Sequence, residues 1–174
     1  MAKYAVSPTG RAVTFGRDEI IVSKTDLKGR LTYCNDVFRR IAGFTERELL
    51  GQPHSIIRHP DMPRCVFKLL WDTIAAKGEI FAYVKNMARN GDHYWVLAHV
   101  TPSLDAGGNL LGYHSNRRLP DPAAVAAVER LYADLVAIEA RPDSRKDGMT
   151  AASDHLAGVL QGKGVGYDQF VLSL

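Results

Sequence analysis

Residues 52–71 read QPHSIIRHPDMPRCVFKLLW. In this stretch prolines, an Arg-His pair and an aspartate stand directly before an apolar run that ends at a tryptophan. Apolar packing alone requires no such polar insert, whereas a pocket that binds a cofactor does. We therefore predict that the chain is organised around a small-molecule site formed at this stretch.

The residues on both sides of residues 58–61 carry clear secondary-structure signals. From Pro63 onward, apolar residues at helical spacing predict a longer helix that Gly78 ends. Upstream, the β-branched run at 19–25 and the run at 30–34 predict two strands joined by a turn at 26–29. Between that hairpin and residue 52, a short helix capped by Asn35 and a capping box at 45–48 are expected.

Downstream of residue 78 the pattern changes to three strands, at 80–88, 93–104 and 110–118. Asn90-Gly91 joins the first two, which is a strong hairpin signal. The order β-β, helices, β-β-β predicts an α+β fold, in which short helices cover one face of a five-stranded antiparallel sheet. A concave face covered in this way is where small ligands bind.

Four segments are predicted: an irregular N-terminal cap at 1–18, a sensor domain at 19–119, a helix at 120–140, and a linker with a short helical tail at 141–174. The helix starts at Asp121-Pro122 and has a wide apolar stripe. That stripe either packs on the outer face of the sheet or on residues 1–18, or it forms a dimer or partner surface. The polar run at 141–148 predicts the linker, and 149–160 a small second helix.

Composition excludes several functional classes. The 174 residues are 46% hydrophobic and 24% charged, with a net charge of +3 that is too small to indicate nucleic-acid binding. No apolar run reaches the length of a membrane span, and the N-terminus lacks the apolar core of a signal peptide. We therefore expect a cytoplasmic protein without direct membrane insertion. Cys34 and Cys65 lack the spacing of a zinc site and are predicted to be small buried hydrophobes.

Two segments resemble the PAS domain of bacterial aerotaxis receptors. They are TDLKGRLTYCNDVFRRIAGFTERELLGQPHSIIRHPDMP at 25–63 and KNMARNGDHYWVLAHVTP at 85–102. The resemblance extends over roughly 19–119, and it implies the PAS fold, bound FAD and a non-enzymatic role in reporting redox or energy state to the chemotaxis machinery. Since this chain shows neither the membrane anchor nor the signalling helices of those receptors, we expect a sensor that signals to a chemoreceptor-like protein or a kinase. A homodimer through the 121–140 helix or the N-terminal cap is a further expectation.

The resemblance implies a flavin-binding role for Arg58, His59 and Asp61. The planar fork of an arginine fits phosphate oxygens, His59 adds a hydrogen bond or a charge, and Asp61 accepts from an adenosine hydroxyl or holds Arg58. The alternative is a surface loop in which Asp61 caps the next helix.

Trp71 and Asn86 are further candidates. The Trp71 indole is suited to stacking on adenine, although its apolar neighbours equally suit a core position. Asn86 lies within a strand, where asparagine is disfavoured, and in related light-sensing PAS domains an asparagine at the matching position meets the polar edge of the flavin ring. The alternative is an exposed edge-strand asparagine.

Three residues complete the predicted site. Asn35 caps its helix and is expected also to reach the ligand. His54 matches the position of the reactive cysteine of light-sensing PAS domains, so the chain departs from a photoreceptor; the histidine either lines the pocket near the ring or is buried and hydrogen-bonded. Strand alternation puts Ser115 on one face of the last strand with Tyr113 and Arg117. The resemblance to flavin-binding PAS domains implies that this face meets the flavin ring.

Two other functions stay open. Haem-binding PAS domains use a histidine on the longer helix, and none occurs between Pro63 and Gly78, which disfavours a haem-binding gas sensor. A cofactor-free interaction or dimerisation module is the other alternative. No nucleophile with a matching base, and no glycine-rich phosphate loop, indicates an enzyme.

Overall fold

A single antiparallel sheet forms the centre of the protein. The computed structural model describes residues 6–174; residues 1–5 of the predicted N-terminal cap lie outside this range. The strands are β1 (Ile21–Thr25), β2 (Leu31–Cys34), β3 (Ile80–Met87), β4 (His93–Leu104) and β5 (Leu110–Arg118). They are arranged in the order β2-β1-β5-β4-β3, and all neighbouring strands are antiparallel. The predicted α+β fold with a five-stranded sheet is confirmed.

Short helices connect β2 to β3, as predicted. They are α1 (Asp36–Ala42), α2 (Glu46–Leu49), a 3₁₀ turn at His54–Ile57, and α3 (Arg64–Ala75). The Asn35 side chain accepts a hydrogen bond from the Phe38 amide and so caps α1, and the capping box at Thr45 opens α2. The helix α3 ends before Gly78, because Lys77 already has a left-handed backbone with φ 64°.

The helices cover the concave face of the sheet with apolar side chains. Phe38, Leu49 and Ile57 are at most 1% exposed and join Ile21 and Val96 of the sheet in one core. The core continues along α3 through Cys65, Val66 and Ile74, while Cys34 lies at the end of β2; both cysteines are free and buried. The prediction for the two cysteines is therefore confirmed.

The helix α4 (Pro122–Glu139) follows β5, packs mainly against the helix that comes after it, and reaches the outer side of β3 and β4 through side chains such as Tyr132. The Tyr132 hydroxyl donates to the Tyr83 carbonyl at 2.8 Å, and the rings of Tyr132 and Trp95 lie 6.1 Å apart. Of the alternatives considered for its apolar stripe, packing on the outer face of the sheet is the one that the structure shows. A homodimer through this helix, or through the N-terminal cap, stays a prediction.

The C-terminal region is more helical than the sequence suggested. The predicted linker at 141–148 is wrong in its second half, since α5 spans Arg145–Lys163; the helix predicted at 149–160 is correspondingly longer. The helix starts early because the Ser144 side chain caps it by accepting from the Asp147 amide. Gly148 lets α5 approach α4 closely: a Cβ at this position would lie 2.2 Å from the Glu139 carbonyl oxygen.

The outer rim of β3 is covered by three different elements. The Phe81 amide donates to the Asp168 carboxylate of α6 (Tyr167–Leu172) at 3.0 Å. The Lys85 amide points at the Met62 sulfur at 3.2 Å, and Asn86 forms an isolated antiparallel bridge with Arg58. Together with the Tyr132 hydroxyl on the Tyr83 carbonyl, these contacts use polar groups along the strand that no neighbouring strand pairs.

Residues 6–18 form an irregular cap, as predicted for the described part of this segment. Ala12 makes a single bridge to His93 at the start of β4, and the Arg11 side chain pairs with Asp92. Within residues 6–174, no helix has both the length and the apolar character that crossing a membrane requires.

Candidate functional site

A cavity of about 390 Å³ lies between the concave face of the sheet and α3 with the preceding 3₁₀ turn. Its volume falls within the range of roughly 300–1,000 Å³ that is typical of small-molecule sites. Apolar side chains of α3 form one wall, and β3, β4 and β5 form the other. The apolar lining consists of Pro53, Ile57, Phe67, Leu70, Trp71, Ile74, Val84, Ala98 and Val100.

The charges on the cavity wall are all positive. Lys28, Arg58 and Arg117 line it, and among the described lining residues there is no aspartate or glutamate. A wall with cations and without acids favours a ligand that carries negative charge or many hydrogen-bond acceptors.

Arg117 is the most unusual of these residues. It is only 2% exposed, although a charged side chain is rarely buried without a partner of opposite charge. Its Nη2 donates to the Ser23 hydroxyl and its guanidinium carbon lies 4.7 Å from the centre of the Phe38 ring, yet Nε and Nη1 have no partner among the described residues. Burial lowers the pKa of Arg117 to about 10, which still leaves the side chain charged at neutral pH.

A chain of hydrogen bonds links Arg117 to His54 through Ser23. Since the Ser23 oxygen accepts from Arg117, its own hydrogen is available to the His54 Nε2, which lies 3.2 Å away. This arrangement places the proton of His54 on Nδ1 and keeps the ring neutral. Burial, assisted by the charge of Arg117, lowers the pKa of His54 to about 3.

Several polar atoms of the cavity wall lack partners. Besides the two Arg117 nitrogens, the Asn86 amide nitrogen and the Thr25 hydroxyl have no hydrogen-bond partner within residues 6–174. Buried polar groups are almost always satisfied in folded proteins, so a set of unsatisfied groups in one cavity indicates a ligand. Because most of them are donors, the ligand must offer acceptors.

Arg58 lies at the side of the cavity next to α3. Its guanidinium carbon is 4.1 Å from the centre of the Phe67 ring, and its Nη2 donates to the Met62 carbonyl at 3.3 Å. The side chain is half-buried, and this burial lowers its pKa. The stacked, hydrogen-bonded guanidinium is thereby held in a fixed position.

Trp71 is 38% exposed and lies at the edge of the cavity, so it is not the core residue of the alternative interpretation. Its ring meets Tyr113 edge-on, with 5.5 Å between centroids, and lies over the backbone of Gly29. A Cβ on Gly29 would be 2.8 Å from the indole, and the φ of +72° at this residue also favours glycine. The indole therefore presents an accessible aromatic surface beside the ligand space.

The structure gathers five of the eight predicted site residues, namely His54, Arg58, Trp71, Asn86 and Ser115, on the cavity wall. Tyr113 and Arg117 join Ser115 there, as the alternation of β5 predicted. The alternative of an exposed asparagine at position 86 is wrong, since Asn86 is 3% exposed. Roles for these residues in cofactor binding stay predictions.

The other three predicted residues, Asn35, His59 and Asp61, do not line the cavity. The Asn35 amide takes part in three hydrogen bonds, accepting from the Val22 and Phe38 amides and donating to the Ile20 carbonyl. His59 is buried against the His93 ring at 5.8 Å.

Asp61 accepts from the Lys85 ammonium at 2.8 Å, and Lys85 also contacts Glu129 of α4. Strand alternation explains this placement, because Lys85 and Asn86 point to opposite faces of β3. His59 and Asp61 thus lie with Lys85, toward α4, while Arg58 lies with Asn86, toward the cavity.

Sequence reasoning missed six polar or aromatic wall residues as site members: Ser23, Thr25, Lys28, Ser55, Phe67 and His114. For Ser23 and Thr25 the signal was their place on the inward face of β1, opposite β5. No group of three or more histidine, cysteine or acidic residues within 6–174 is arranged to hold a metal ion.

Comparison with known proteins identifies the family that has this architecture. A family model described as the PAS fold matches residues 31–116. The aerotaxis receptor of Escherichia coli K12 is 45% identical over 119 residues, which are 68% of this chain and 23% of the receptor. A nitrogen fixation regulatory protein of Klebsiella pneumoniae is 29% identical over 99 residues, or 57% of this chain and 20% of that protein. The chain thus spans less than a quarter of the length of either relative.

Solved structures show the same fold. A light-oxygen-voltage domain studied with a flavin analogue has a TM-score of 0.57 at 14% identity, over 64% of this chain and 83% of that one. The dark structure of the Aureochrome1 light-oxygen-voltage domain has a TM-score of 0.53 at 20% identity, over 69% and 85%. At these identities the likeness concerns the fold.

Proposed function

The chain belongs, through residues 31–116, to the PAS-fold family, and on that premise we propose that it is a non-enzymatic redox sensor that binds FAD in the cavity described above. The observation that carries this proposal is the set of unpaired donors on a cavity wall that has arginines and no acid. The resemblance to aerotaxis receptors and the flavin named for a light-oxygen-voltage domain support it.

The cavity wall fits the hydrogen-bonding edge of a flavin. That edge carries two carbonyl oxygens and ring nitrogens that accept, and one N–H that donates. Arg117 and Asn86 offer donors at the inner face of the sheet, while Ser115 can rotate its hydroxyl to donate or accept. The apolar side chains of α3, Val84 and Val100 would enclose the flat ring.

The phosphates and the adenosine of FAD extend beyond the flavin ring and need a different surface. We assign the phosphates to Arg58, whose stacked guanidinium offers its remaining donors in a planar fork, and the adenine to the accessible indole of Trp71. His59 and Asp61 act indirectly in this proposal, because Asp61 holds Lys85 and so fixes the 58–62 loop against β3.

Bound flavin would supply reversible electron transfer, accompanied by changes of charge and protonation on its ring. The role of this chain is to detect these changes. A hydrogen-bond donor of the protein that faces a newly formed donor on the flavin ring must move. Ser115 and Arg117 lie on β5, which runs directly into α4 through residues 119–121. A shift of β5 therefore reaches α4, which we propose as the surface that reports to a chemoreceptor-like protein or a kinase.

The test is the absorption spectrum of the purified protein and the identity of the compound released on heating. We expect a flavin spectrum and FAD on chromatography. Release of FMN alone would remove the adenine-stacking role of Trp71. A colourless protein that cannot be reconstituted would support a cofactor-free interaction module, and a haem spectrum would support a gas sensor.

The signalling half of the proposal is tested separately by hydrogen exchange on oxidised and chemically reduced holoprotein. We expect the protection of residues 110–140 to differ between the two states. Equal protection there would contradict transmission through β5 and α4.

A further inference from the structure

A second concavity, which we call the arginine groove, shares Arg58 with the ligand cavity. The groove lies between the 58–64 segment, the end of α4 and the start of α5. Its lining consists of Arg58, Pro60, Met62, Arg64, Val136, Glu139, Ala140 and Arg145. Three of these residues are cationic and one is anionic, which gives the groove a formal charge of +2.

The guanidinium of Arg58 forms part of both walls. It stacks on Phe67, which lines the cavity, and donates to the carbonyl of Met62, which lines the groove. A ligand that passes Arg58 would therefore extend from the cavity into the groove. Arg64 lies one helical turn before Phe67 on α3, so it continues the same side of the path.

The single acid of the groove is already engaged. The Glu139 carboxylate accepts from the Arg64 Nε at 2.9 Å and from the Cys65 amide at 2.8 Å, and it is 6% exposed. It therefore positions Arg64 and the start of α3. Its negative charge still acts on Arg58, whose pKa it raises, but its hydrogen bonds go to Arg64 and Cys65.

Arg145 and Arg58 make no ion pair with an acid within residues 6–174. Arg145 is exposed at the first turn of α5. Burial lowers the pKa of Arg58; nearby Glu139 raises it, while Arg64 and Arg145 lower it. The guanidinium groups are thus close enough to repel one another, and a bound anion would relieve that repulsion.

We propose that the arginine groove binds the diphosphate of the FAD taken up in the cavity, with Arg64 and Arg145 added to Arg58 as its ligands. This inference rests on the proposed function. A diphosphate diester carries two negative charges, which match the formal charge of the groove, and guanidinium forks fit phosphate oxygens. Arg145 belongs to α5, outside the residues that match the PAS family model, so the C-terminal helices take part in holding the cofactor.

The experiment compares Arg145→Ala with Lys146→Ala in the full chain freed of flavin. Lys146 is the adjacent cation, is also exposed, and does not line the groove. Each protein is titrated with FAD and with riboflavin, which lacks phosphate. We expect Arg145→Ala to weaken FAD binding about tenfold and to leave riboflavin binding unchanged, and Lys146→Ala to change neither.

Two results would overturn the proposal while the proposed function stands. One is FAD affinity of Arg145→Ala equal to that of Lys146→Ala. The other is an equal loss of FAD and riboflavin affinity in Arg145→Ala, which would indicate a change in the fold. If the unsubstituted chain binds neither flavin, the proposed function fails and this assignment fails with it.

Discussion

Replacing Arg117 with leucine should change the ligand-free and the ligand-bound protein in opposite directions. In the ligand-free protein the guanidinium is buried without an acid, and burial lowers its pKa from 12.5 to about 10. At roughly 1.4 kcal/mol per pKa unit, the buried charge costs about 3 kcal/mol at pH 7. The sign follows from linkage: the unfolded chain holds this proton more tightly, so stability rises only as pH increases from about 10 toward 12.5.

Two favourable contacts offset part of this cost. The hydrogen bond to Ser23 contributes about 1 kcal/mol and the contact with Phe38 about 1–2 kcal/mol. We therefore expect ligand-free Arg117→Leu to be as stable as the unsubstituted protein or up to about 1 kcal/mol more stable. Removing one partner of a buried ion pair, by contrast, typically costs about 3–5 kcal/mol.

With FAD present the same substitution should be harmful. Loss of the Nε and Nη1 donors to a buried acceptor should cost about 1.5–3 kcal/mol of binding, or roughly one to two decades in Kd. Urea unfolding at pH 7, with and without FAD, measures both effects. Arg118→Leu is the matched control, because Arg118 is the next residue of β5 and is exposed; it should alter neither quantity.

The reasoning would be refuted if ligand-free Arg117→Leu lost 3 kcal/mol or more. Arg117 would then belong to a satisfied structural network, and the unpaired nitrogens would not mark a ligand. Unchanged FAD affinity would refute its role in the site.

Two further predictions concern stability. His54→Asn should remove an acid sensitivity. Because the pKa of His54 falls from 6.5 to about 3 on folding, the unsubstituted protein should lose about 2.5 kcal/mol of stability between pH 7 and pH 4.5, as the unfolded chain takes up the proton. Urea unfolding at the two pH values should show that the variant lacks this loss. Gly148→Ala should destabilise the protein by about 1–3 kcal/mol, since its Cβ would lie 2.2 Å from the Glu139 carbonyl oxygen. Gly158→Ala in the same helix, where nothing lies within 4 Å of the added Cβ, should stabilise the protein by about 0.5–1 kcal/mol. Equal thermal midpoints for the two variants would contradict the close packing of α4 and α5.

Local signals predicted much of the fold. Asn35, Thr45 and Asp121 each act within a few residues of their position, and Asn90-Gly91 marks the turn between β3 and β4. Strand alternation likewise placed Tyr113, Ser115 and Arg117 on the cavity side of β5.

The features that the sequence did not predict depend on tertiary contacts. His59 and Asp61 turn away from the cavity because the 58–62 loop pairs Arg58 with Asn86, and the direction of the next residues follows from that pairing. The early start of α5 was missed because its glycines weaken the helical pattern, although Gly148 is what permits the packing against α4. The burial of Arg117 results from Phe38 and Ser23 closing over it, which spacing along the chain does not reveal.

The covered rim of β3 has a consequence for how the protein behaves at high concentration. An edge strand with free amides and carbonyls is a template on which another chain can add a strand, and this is a common start of aggregation. Here Asp168, Tyr132 and Met62 occupy such groups of β3, each from a different element. The sheet is thereby closed to extension on that side, so swapping of strands between copies would first require the C-terminal helices to detach.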